Sequence, residues 1–295
     1  MQAAIGLFVA MLILGSPTLS AQGCSDAGVC TMGTMRSATH DRDTSAYASV
    51  TLTPSYGAGE QGVAIVQVLP EVEWRVAHLV TLRASLPLTY TSGSLGTNSG
   101  IGDAVVSVSR TLALSDEVDM GLTLGTRLPT GTSDAGSTST ASLPMPYQTG
   151  LGTTDLVVGV SSTYDAWSVA LGYQRVLVNN NRNAYVDDGT GYFTSKDYER
   201  GDDAILRVGR SIAIDNINIA PSLLAIYRVQ QDRVMGERVE GSDGLTLNLA
   251  VAASTSIADR LNLRVDAAAP VLVRKVRADG LTRALVISLG LTYQL

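Results

Sequence analysis

The chain has 295 residues, of which 45% are hydrophobic and only 16% are charged. Its formal net charge of −6, without any cluster of Lys and Arg, excludes nucleic acid as a partner, since phosphate binding needs clustered basic side chains. After residue 16 no apolar run approaches the roughly 20 residues that a transmembrane helix needs, which excludes a helical membrane protein.

The N-terminus has the pattern of an export signal. Residues 5–14 form a short apolar segment, Gly15-Ser16-Pro17 interrupts it, and Leu19-Ser20-Ala21 offers small residues before a cleavage site. The apolar segment is too short to span a bilayer. The pattern predicts a signal peptide over residues 1–21, although its first residues lack the usual basic charge.

Residues 22–46 are small and polar, without periodicity, and we interpret them as a periplasmic tail. Two cysteines, Cys24 and Cys30, lie in this tail. Because disulfides persist in exported proteins, a local Cys24–Cys30 disulfide is the favoured interpretation. A lipid anchor on Cys24 is the alternative, which Gln22 disfavours because a lipoprotein signal has a small residue there. A metal site would need more ligands than His40 supplies, so no metal is predicted.

From Tyr47 to the C-terminus the sequence alternates between apolar and polar residues. In one such segment the apolar positions are Val80, Leu82, Ala84, Leu86 and Leu88. Alternating residues share one face of a strand, and segments of about 10 residues cross a bilayer when tilted. About twelve segments of this kind predict an all-β fold over residues 47–295, a transmembrane antiparallel up-and-down β-barrel.

The connections between these segments alternate in length. Tight links occur near residues 77–78, 115–116, 165–166, 215–216 and 258–259, whereas long links cover about 91–101, 129–151, 179–201, 231–243 and 270–280. Short turns at one end and long loops at the other are typical of outer-membrane barrels. The pattern therefore predicts a bacterial outer-membrane protein surrounded by lipid and lipopolysaccharide, with both termini on the periplasmic side.

The last segment, residues 285–295, alternates most regularly. It resembles the C-terminal recognition strand of outer-membrane proteins, with the aromatic Tyr293 two residues before the apolar Leu295. The barrel-assembly machinery is therefore a predicted partner of this strand.

Short Gly/Asp motifs open several returning segments. They read Gly100-Ile101-Gly102-Asp103, Gly150-Leu151-Gly152-Thr153-Thr154-Asp155 and Gly201-Asp202-Asp203. Nucleotide binding is excluded, because no helix follows to receive a phosphate. Together with Leu128-Pro129-Thr130-Gly131, the motifs resemble the outer-membrane transporter family named for the meta pathway of phenol degradation, over residues 50–295. The resemblance implies a barrel that passes small molecules, including hydrophobic or aromatic ones.

If the apolar faces meet lipid, the charged residues of the strands face the lumen. The predicted pore-lining residues are Arg83, Asp103, Arg127, Asp155, Asp203, Arg207, Arg228 and Arg264. Two interpretations stay open. Arginines opposite carboxylates at a constriction would select polar or anionic solutes. Alternatively, the same charges pair with one another and plug the interior.

Enzymatic activity is not expected. The histidines, His40 and His78, lie in the predicted tail and at a predicted periplasmic turn, away from any serine at the outer rim. No catalytic residue and no cofactor is predicted. The first hypothesis is a passive outer-membrane channel for small-molecule solutes. The alternative is a closed structural or adhesion barrel whose loops, such as the Asn- and Tyr-rich residues 179–200, bind calcium or a surface ligand.

Overall fold

The computed structural model describes residues 47–77, 79–115, 117–136, 142–279 and 283–295. The predicted signal peptide and tail, with Cys24, Cys30 and His40, lie outside the described residues, as does His78. The strands are β1 (Ala48–Gly59), β2 (Ala64–Ala77), β3 (Val80–Ser85), β4 (Leu88–Gly93), β5 (Gly96–Ile101), β6 (Ala104–Ala113), β7 (Val118–Leu128), β8 (Thr153–Tyr164), β9 (Trp167–Asn179), β10 (Asp203–Arg210), β11 (Ile212–Ile214), β12 (Ile217–Arg228), β13 (Arg233–Val234), β14 (Glu237–Arg238), β15 (Gly244–Ala258), β16 (Leu261–Leu272) and β17 (Arg283–Gln294).

These strands build a closed antiparallel barrel of twelve transmembrane strands. Three of the twelve consist of two segments each, namely β3 with β4, β5 with β6 and β10 with β11, and β13 and β14 form a separate small hairpin. The barrel closes because β1 pairs with β2 on one side and with β17 on the other. The predicted all-β barrel is therefore confirmed. No helix in the described ranges is long and apolar enough to cross a membrane.

The side chains of the wall are distributed in the opposite way to those of a soluble protein. On β1 the apolar Val50, Leu52 and Tyr56 are exposed on the outside, at 42%, 48% and 49%, whereas the polar Thr51 faces inward and is buried. This arrangement is stable only where the outside contacts lipid and the inside holds polar partners. Pairing all strands in a closed sheet also satisfies the backbone, which lipid cannot do.

The two ends of the barrel differ, as the sequence predicts. At the short-turn end two to four residues connect the strands, whereas the loop end carries the long links 129–152, 180–202, 229–243 and 273–282. One predicted loop is wrong. Residues 91–101 belong to β4 and β5, which are joined by the two-residue turn at Ser94 and Leu95. Their Ser, Thr, Gly and Asn content suggested a loop, but strand pairing above the lipid does not need apolar alternation.

Aromatic side chains mark the short-turn end on the outside of the barrel. The rings of Tyr47 and Trp74 pack edge to face with centroids 6.0 Å apart. The guanidinium of Arg210 lies 5.4 Å from the ring centroid of Trp167. Aromatic girdles and long basic side chains of this kind favour the headgroup level of a bilayer.

Leu124 tests the lipid-facing assignment, because it lies in the middle of β7 on the outside and is 51% exposed. We expect Leu124→Arg to lower the free energy of unfolding from lipid vesicles by about 2–4 kcal/mol, the cost of a basic side chain near the bilayer midplane. Leu124→Ala is the control and keeps the residue apolar. Denaturant titration in vesicles measures both, and equal stability of the two variants would contradict a lipid-facing β7.

Candidate functional site

Eight charged side chains form a buried network at the loop end of the lumen. Its members are Arg127, Asp155, Arg200, Asp203, Arg228, Asp232, Arg274 and Asp279, and each is at most 7% exposed. Arg228 pairs with Asp203 across neighbouring strands, with 2.6 Å between Nε and Oδ1, and contacts Asp279 at 3.3 Å. Four positive and four negative charges therefore compensate one another, which buried charges require. We call these eight residues the charge network.

The charge network fastens three loops to the barrel wall. Arg200 of the β9–β10 loop bonds Asp203, and Asp232 of the β12–β15 link bonds Arg228. In the β16–β17 link, Asp279 bonds Arg274 of the same link and contacts Arg228 of β12 at 3.3 Å. Burial opposes the ionisation of Asp279, but the guanidinium groups of Arg274 and Arg228 outweigh burial and lower its pKa. All three loops are thus held inward by charge.

A second contact region lies on the opposite side of the loop end. Its members are Val63, Ile65, Leu143, Tyr147, Tyr185 and Tyr192, all of them buried. The hydroxyls of Tyr147 and Tyr192 are 3.1 Å apart, and their rings pack edge to face. Burial and the hydrogen bond with Tyr147 raise the pKa of Tyr192 to about 12. We call these six residues the tyrosine seal.

The β9–β10 loop reaches the tyrosine seal by crossing the mouth of the barrel. In the closed order of twelve strands, the β9–β10 connection lies directly opposite the β1–β2 turn. Nevertheless the side-chain amide of Gln61, in that turn, donates to the carbonyl oxygen of Gly191 at 2.9 Å. Gln61 adopts a left-handed backbone conformation with φ of 54°, which is unfavourable for a residue with a side chain. The loop therefore spans the full width of the lumen.

Tyr147 comes from a different loop and ties it to the β4–β5 hairpin. Its carbonyl oxygen accepts hydrogen bonds from Asn98 Nδ2 at 2.9 Å and from the Thr91 hydroxyl at 3.0 Å, and its hydroxyl accepts from the backbone N–H of Leu95 at 3.1 Å. A Cβ at Gly93 would collide with that hydroxyl. Two long loops together close the outer mouth in this structure.

The Gly/Asp motifs hold the loops at their bases. Asp103 accepts hydrogen bonds from the backbone N–H of Gly131 at 3.1 Å and of Leu151 at 2.8 Å. A Cβ at Gly131 would lie 2.7 Å from the Cα of Gly150, so this crossing of two chains requires glycine. The hydroxyl of Thr130 donates to the carbonyl oxygen of Gly102 at 2.6 Å. The motifs thus have a structural explanation in the close approach of the loops.

An apolar group occupies part of the lumen wall beside the charge network. It consists of the inward-facing Val105, Val157, Ala170, Ile205, Leu224 and Ile226, which pack together from β6 to β12. We call it the apolar lumen cluster. With the charge network it occupies much of the side of the lumen formed by β6 to β12. The inward positions of β7 and β12 are buried throughout the hydrophobic part of the wall, whereas Ser161 on β8 and Arg207 on β10 are half-buried.

The opposite wall, formed by β16, β17, β1 and β2, retains partial exposure to the lumen. Six of its half-buried inward-facing residues, all of them uncharged, are Thr53, Ser55, Gln67, Ala268, Val286 and Ser288; the inward-facing Arg264 and Asp266 of β16 are half-buried as well. The six are neighbours across the sheet, since Ser55 pairs with both Ser288 and Gln67, and Ala268 pairs with Val286. In the described part of β1 and β17 no inward position is charged. We call these six residues the lumen groove.

The predicted pore-lining residues divide into separate groups. Arg127, Asp155, Asp203 and Arg228 belong to the charge network, and Asp103 lies at the loop bases.

The three remaining arginines lie elsewhere on the wall. Arg83 pairs with Glu71, 3.5 Å away, and with Glu73. Arg264 pairs with Asp266 at 2.6 Å, and Arg207 faces the lumen half-buried on β10. That solutes pass along these residues stays a prediction.

Sequence reasoning missed the loop members of the charge network, namely Arg200, Asp232, Arg274 and Asp279. Loops have no alternation that assigns a side chain to one face. Sequence reasoning missed the tyrosine seal too, although for it the sequence held a usable signal: the apolar segment Leu143-Pro144-Met145-Pro146-Tyr147 lies within a polar loop, and an apolar stretch of that length favours burial over exposure to water.

The β9–β10 loop is not arranged around a cation. Oδ1 of Asp187 accepts hydrogen bonds from the hydroxyl and N–H of Thr190 and from the N–H of Gly189, all at 3.0–3.1 Å. The Thr190 hydroxyl, followed by these N–H groups, lowers the pKa of Asp187. Donors surround the carboxylate, whereas Ca²⁺ needs several oxygen acceptors. In the described part of the chain no group of acidic, His and Cys residues is suited to hold a metal ion.

No protein-family model matches the sequence, and no curated protein matches it either. Solved structures do. An outer-membrane channel from Pseudomonas putida F1 shares 13% sequence identity with this chain and superposes with a TM-score of 0.65, covering 88% of this chain and 100% of its own. The chain has the outer-membrane β-barrel fold. The NanC porin covers 83% of this chain and 100% of its own at 12% identity, with a TM-score of 0.50.

At such low identities the likeness concerns the fold alone. The fold, the apolar exterior and the aromatic side chains at the short-turn end place the chain in a bacterial outer membrane, as the sequence predicts. Neither structure carries the name of the phenol meta-pathway family, so that resemblance stays a prediction.

Arg228 tests the charge network. We expect Arg228→Met to lower the free energy of unfolding by about 3–5 kcal/mol, because it leaves Asp203, Asp232 and Asp279 with too few cations in a buried site. The control is Arg264→Met, whose partner Asp266 is 36% exposed and whose loss should cost less than about 1 kcal/mol. Equal losses in denaturant titration would show that the network contributes no more than a surface pair.

Only strong acid should release the β16–β17 link. The pKa of Asp279 is far lower in the folded protein than its ordinary value of about 3.9, so its stabilisation is complete above about pH 5 and is lost only as the pH falls through the lowered folded-state value. We expect a spin label on Lys275→Cys to stay immobile from pH 7 to pH 3, because Asp279 stays ionised there in the folded protein. In Asp279→Asn the label should be mobile over the whole range. A label that becomes mobile already at pH 4 in the chain with Asp279 would contradict this role of Asp279.

Proposed function

We propose that the chain is an outer-membrane channel that passes small molecules by passive diffusion. The lumen groove carries this proposal, because inward-facing side chains that retain exposure inside a closed barrel leave room for water and solute. Twelve strands lie between the eight-stranded barrels that side chains fill and the sixteen-stranded barrels that are open. A barrel of twelve strands is therefore wide enough to leave a groove along one wall.

Passage requires the outer mouth to open. The two regions that close it differ in strength. The charge network consists of buried ion pairs, whose separation leaves unpaired charges in a low-dielectric interior. The tyrosine seal depends on a few neutral hydrogen bonds, each worth about 0.5–1.5 kcal/mol, and on ring packing. We therefore expect the tyrosine seal to separate while the charge network stays intact.

The lumen should discriminate weakly between anions and cations. Four of the predicted pore arginines, Arg83, Arg127, Arg228 and Arg264, are paired with carboxylates rather than presented to solute. Paired charges of opposite sign produce only a short-range field. Of the two interpretations of the sequence, the pairing of these charges favours mutual compensation over an anion-selective constriction. The family resemblance by itself implies hydrophobic or aromatic solutes.

A second function has one observation in its favour. The charge network fixes the loops as a rigid outer surface, on which Val186, Phe193 and Met235 are 53%, 40% and 57% exposed. Apolar side chains displayed on a fixed surface suit a closed barrel whose loops bind a partner. In that case the barrel would conduct neither with the seal intact nor with it disrupted.

Single-channel recording in a planar bilayer separates the two functions. We expect the wild type to conduct in brief openings, and Tyr147→Ala to raise the open probability by about tenfold, since it removes ring packing and hydrogen bonds worth more than 1 kcal/mol. Tyr147→Phe, which keeps the ring, should have an intermediate effect. Tyr164→Ala, on the outside at the short-turn end, is the control and should behave as wild type.

Heat-modifiable migration on gels verifies that each variant is a folded barrel. If the wild type and Tyr147→Ala are both folded and both silent, the channel is contradicted and the loop-binding function is favoured.

A further inference from the structure

Asn248 lies on the lumen side of β15 with an unusual environment. Its side chain is 1% exposed and faces inward, between the outward-facing Leu247 and Leu249. Among the described residues, none forms a hydrogen bond with either its amide oxygen or its amide nitrogen. Both the donor and the acceptor of a buried amide are therefore left without a protein partner.

The position of Asn248 is at the boundary between the two sides of the lumen. In the sheet it pairs with Leu224 of the apolar lumen cluster on one side and with Pro270 on the other. Pro270 is two residues from Ala268, a member of the lumen groove on the same inward face of β16. The amide thus neighbours the groove through the buried Pro270.

An unpaired buried amide costs stability, and native proteins bury almost all polar groups with a partner. Leucine has the same branched arrangement of side-chain heavy atoms as asparagine but no polar group, and would suit the neighbouring Leu224 and Pro270 better. The amide consequently has no use in folding, which makes a use in binding the better explanation.

We propose that solutes cross the lumen along the lumen groove, and that Asn248 selects among them by hydrogen bonding to uncharged polar groups. This rests on the function as a channel proposed above and names the route and the solute class.

The chemistry of the route favours uncharged polar molecules. The groove offers hydroxyl groups of Thr53, Ser55 and Ser288 and the amide of Gln67, and each of these groups both donates and accepts. Asn248 adds a second amide of the same kind. A neutral group with a donor and an acceptor, such as a hydroxyl or a carboxamide, satisfies both ends of such an amide. A carboxylate or an ammonium group satisfies only one end, and the charged residues beside the groove, Arg264 and Asp266 on β16, already pair with each other.

The route is tested by thiol labelling, which does not depend on conductance. Single cysteines are introduced at Ala268 and Ser288 in the groove and at Ala220 and Ser222 on the buried inward face of β12, after replacement of Cys24 and Cys30 by serine. A water-soluble methanethiosulfonate is added to the folded barrel. We expect Ala268→Cys and Ser288→Cys to react at least tenfold faster than Ala220→Cys and Ser222→Cys. Equal rates on the two walls would overturn the groove as the route.

Solute selection is tested by liposome swelling with arabinose, which is uncharged, and with gluconate, which is anionic. We expect Asn248→Leu to reduce the arabinose rate by about 3- to 10-fold, the effect of one lost hydrogen bond, and to leave the gluconate rate unchanged. Asn216→Leu removes an exposed amide at the short-turn end and serves as the control.

A purely structural role of Asn248 gives a different result. Asn248→Leu would then be less stable than wild type in denaturant titration, whereas we expect it to be at least as stable, because its amide has no protein partner to lose. An unchanged arabinose rate, or an equal fall for both solutes, would overturn selection by Asn248. If wild-type liposomes admit neither solute, the channel itself fails, and the selection with it, while the labelling rates still decide where the lumen is open.

Discussion

Lipid offers no hydrogen bonds to a polypeptide backbone, and the rest of this structure depends on that constraint. Strands can cross a bilayer only when every N–H and C=O of the wall is paired, which forces the sheet to close, as β1 does with β2 and β17. Closure encloses a lumen, and the period of two along each strand fills it with the polar half of the sequence. Charged side chains such as Arg127 and Asp155 then lie inside and must find partners.

The partners come from neighbouring strands and from the loops, and the loop charges gather on one side of the lumen. On β6 to β12, arginines and aspartates from the wall and from three loops compensate one another, and apolar side chains pack beside them. On β16, β17, β1 and β2 many inward residues keep partial exposure; those of β1 and β17 are uncharged, and Arg264 and Asp266 on β16 pair with each other. The loops that the charges hold in place also close the mouth over this groove. The loops are fastened on the β6 to β12 side of the lumen, and the proposed solute route follows the opposite wall. A solute therefore need not break the ion pairs.

Much of the wall could be predicted from the sequence, because alternation along Leu285–Leu295 or Val80–Leu88 assigns each residue to lipid or lumen without knowledge of its neighbours. The lumen could be predicted only as a list of inward residues. Whether Arg228 attracts a solute or pairs with Asp232 depends on where a 15-residue loop folds, and loops carry no period. The hairpin of β4 and β5 was misassigned for a related reason, since strands above the lipid lose the apolar half of the pattern. That the amide of Asn248 is unpaired could not be predicted either, because it depends on tertiary contacts alone.

The closed outer mouth is the feature on which this account depends most, and a distance measurement tests it directly. Spin labels on Asp188→Cys, in the β9–β10 loop, and on Thr97→Cys, in the β4–β5 hairpin, are introduced into a chain whose Cys24 and Cys30 are serines; both positions are exposed. Because the loop crosses the lumen to meet Gln61 and Tyr147, double electron–electron resonance should give one short, narrow distance. A broad distribution centred near the full width of the barrel would show that the loop stays on its own side, and would contradict the account.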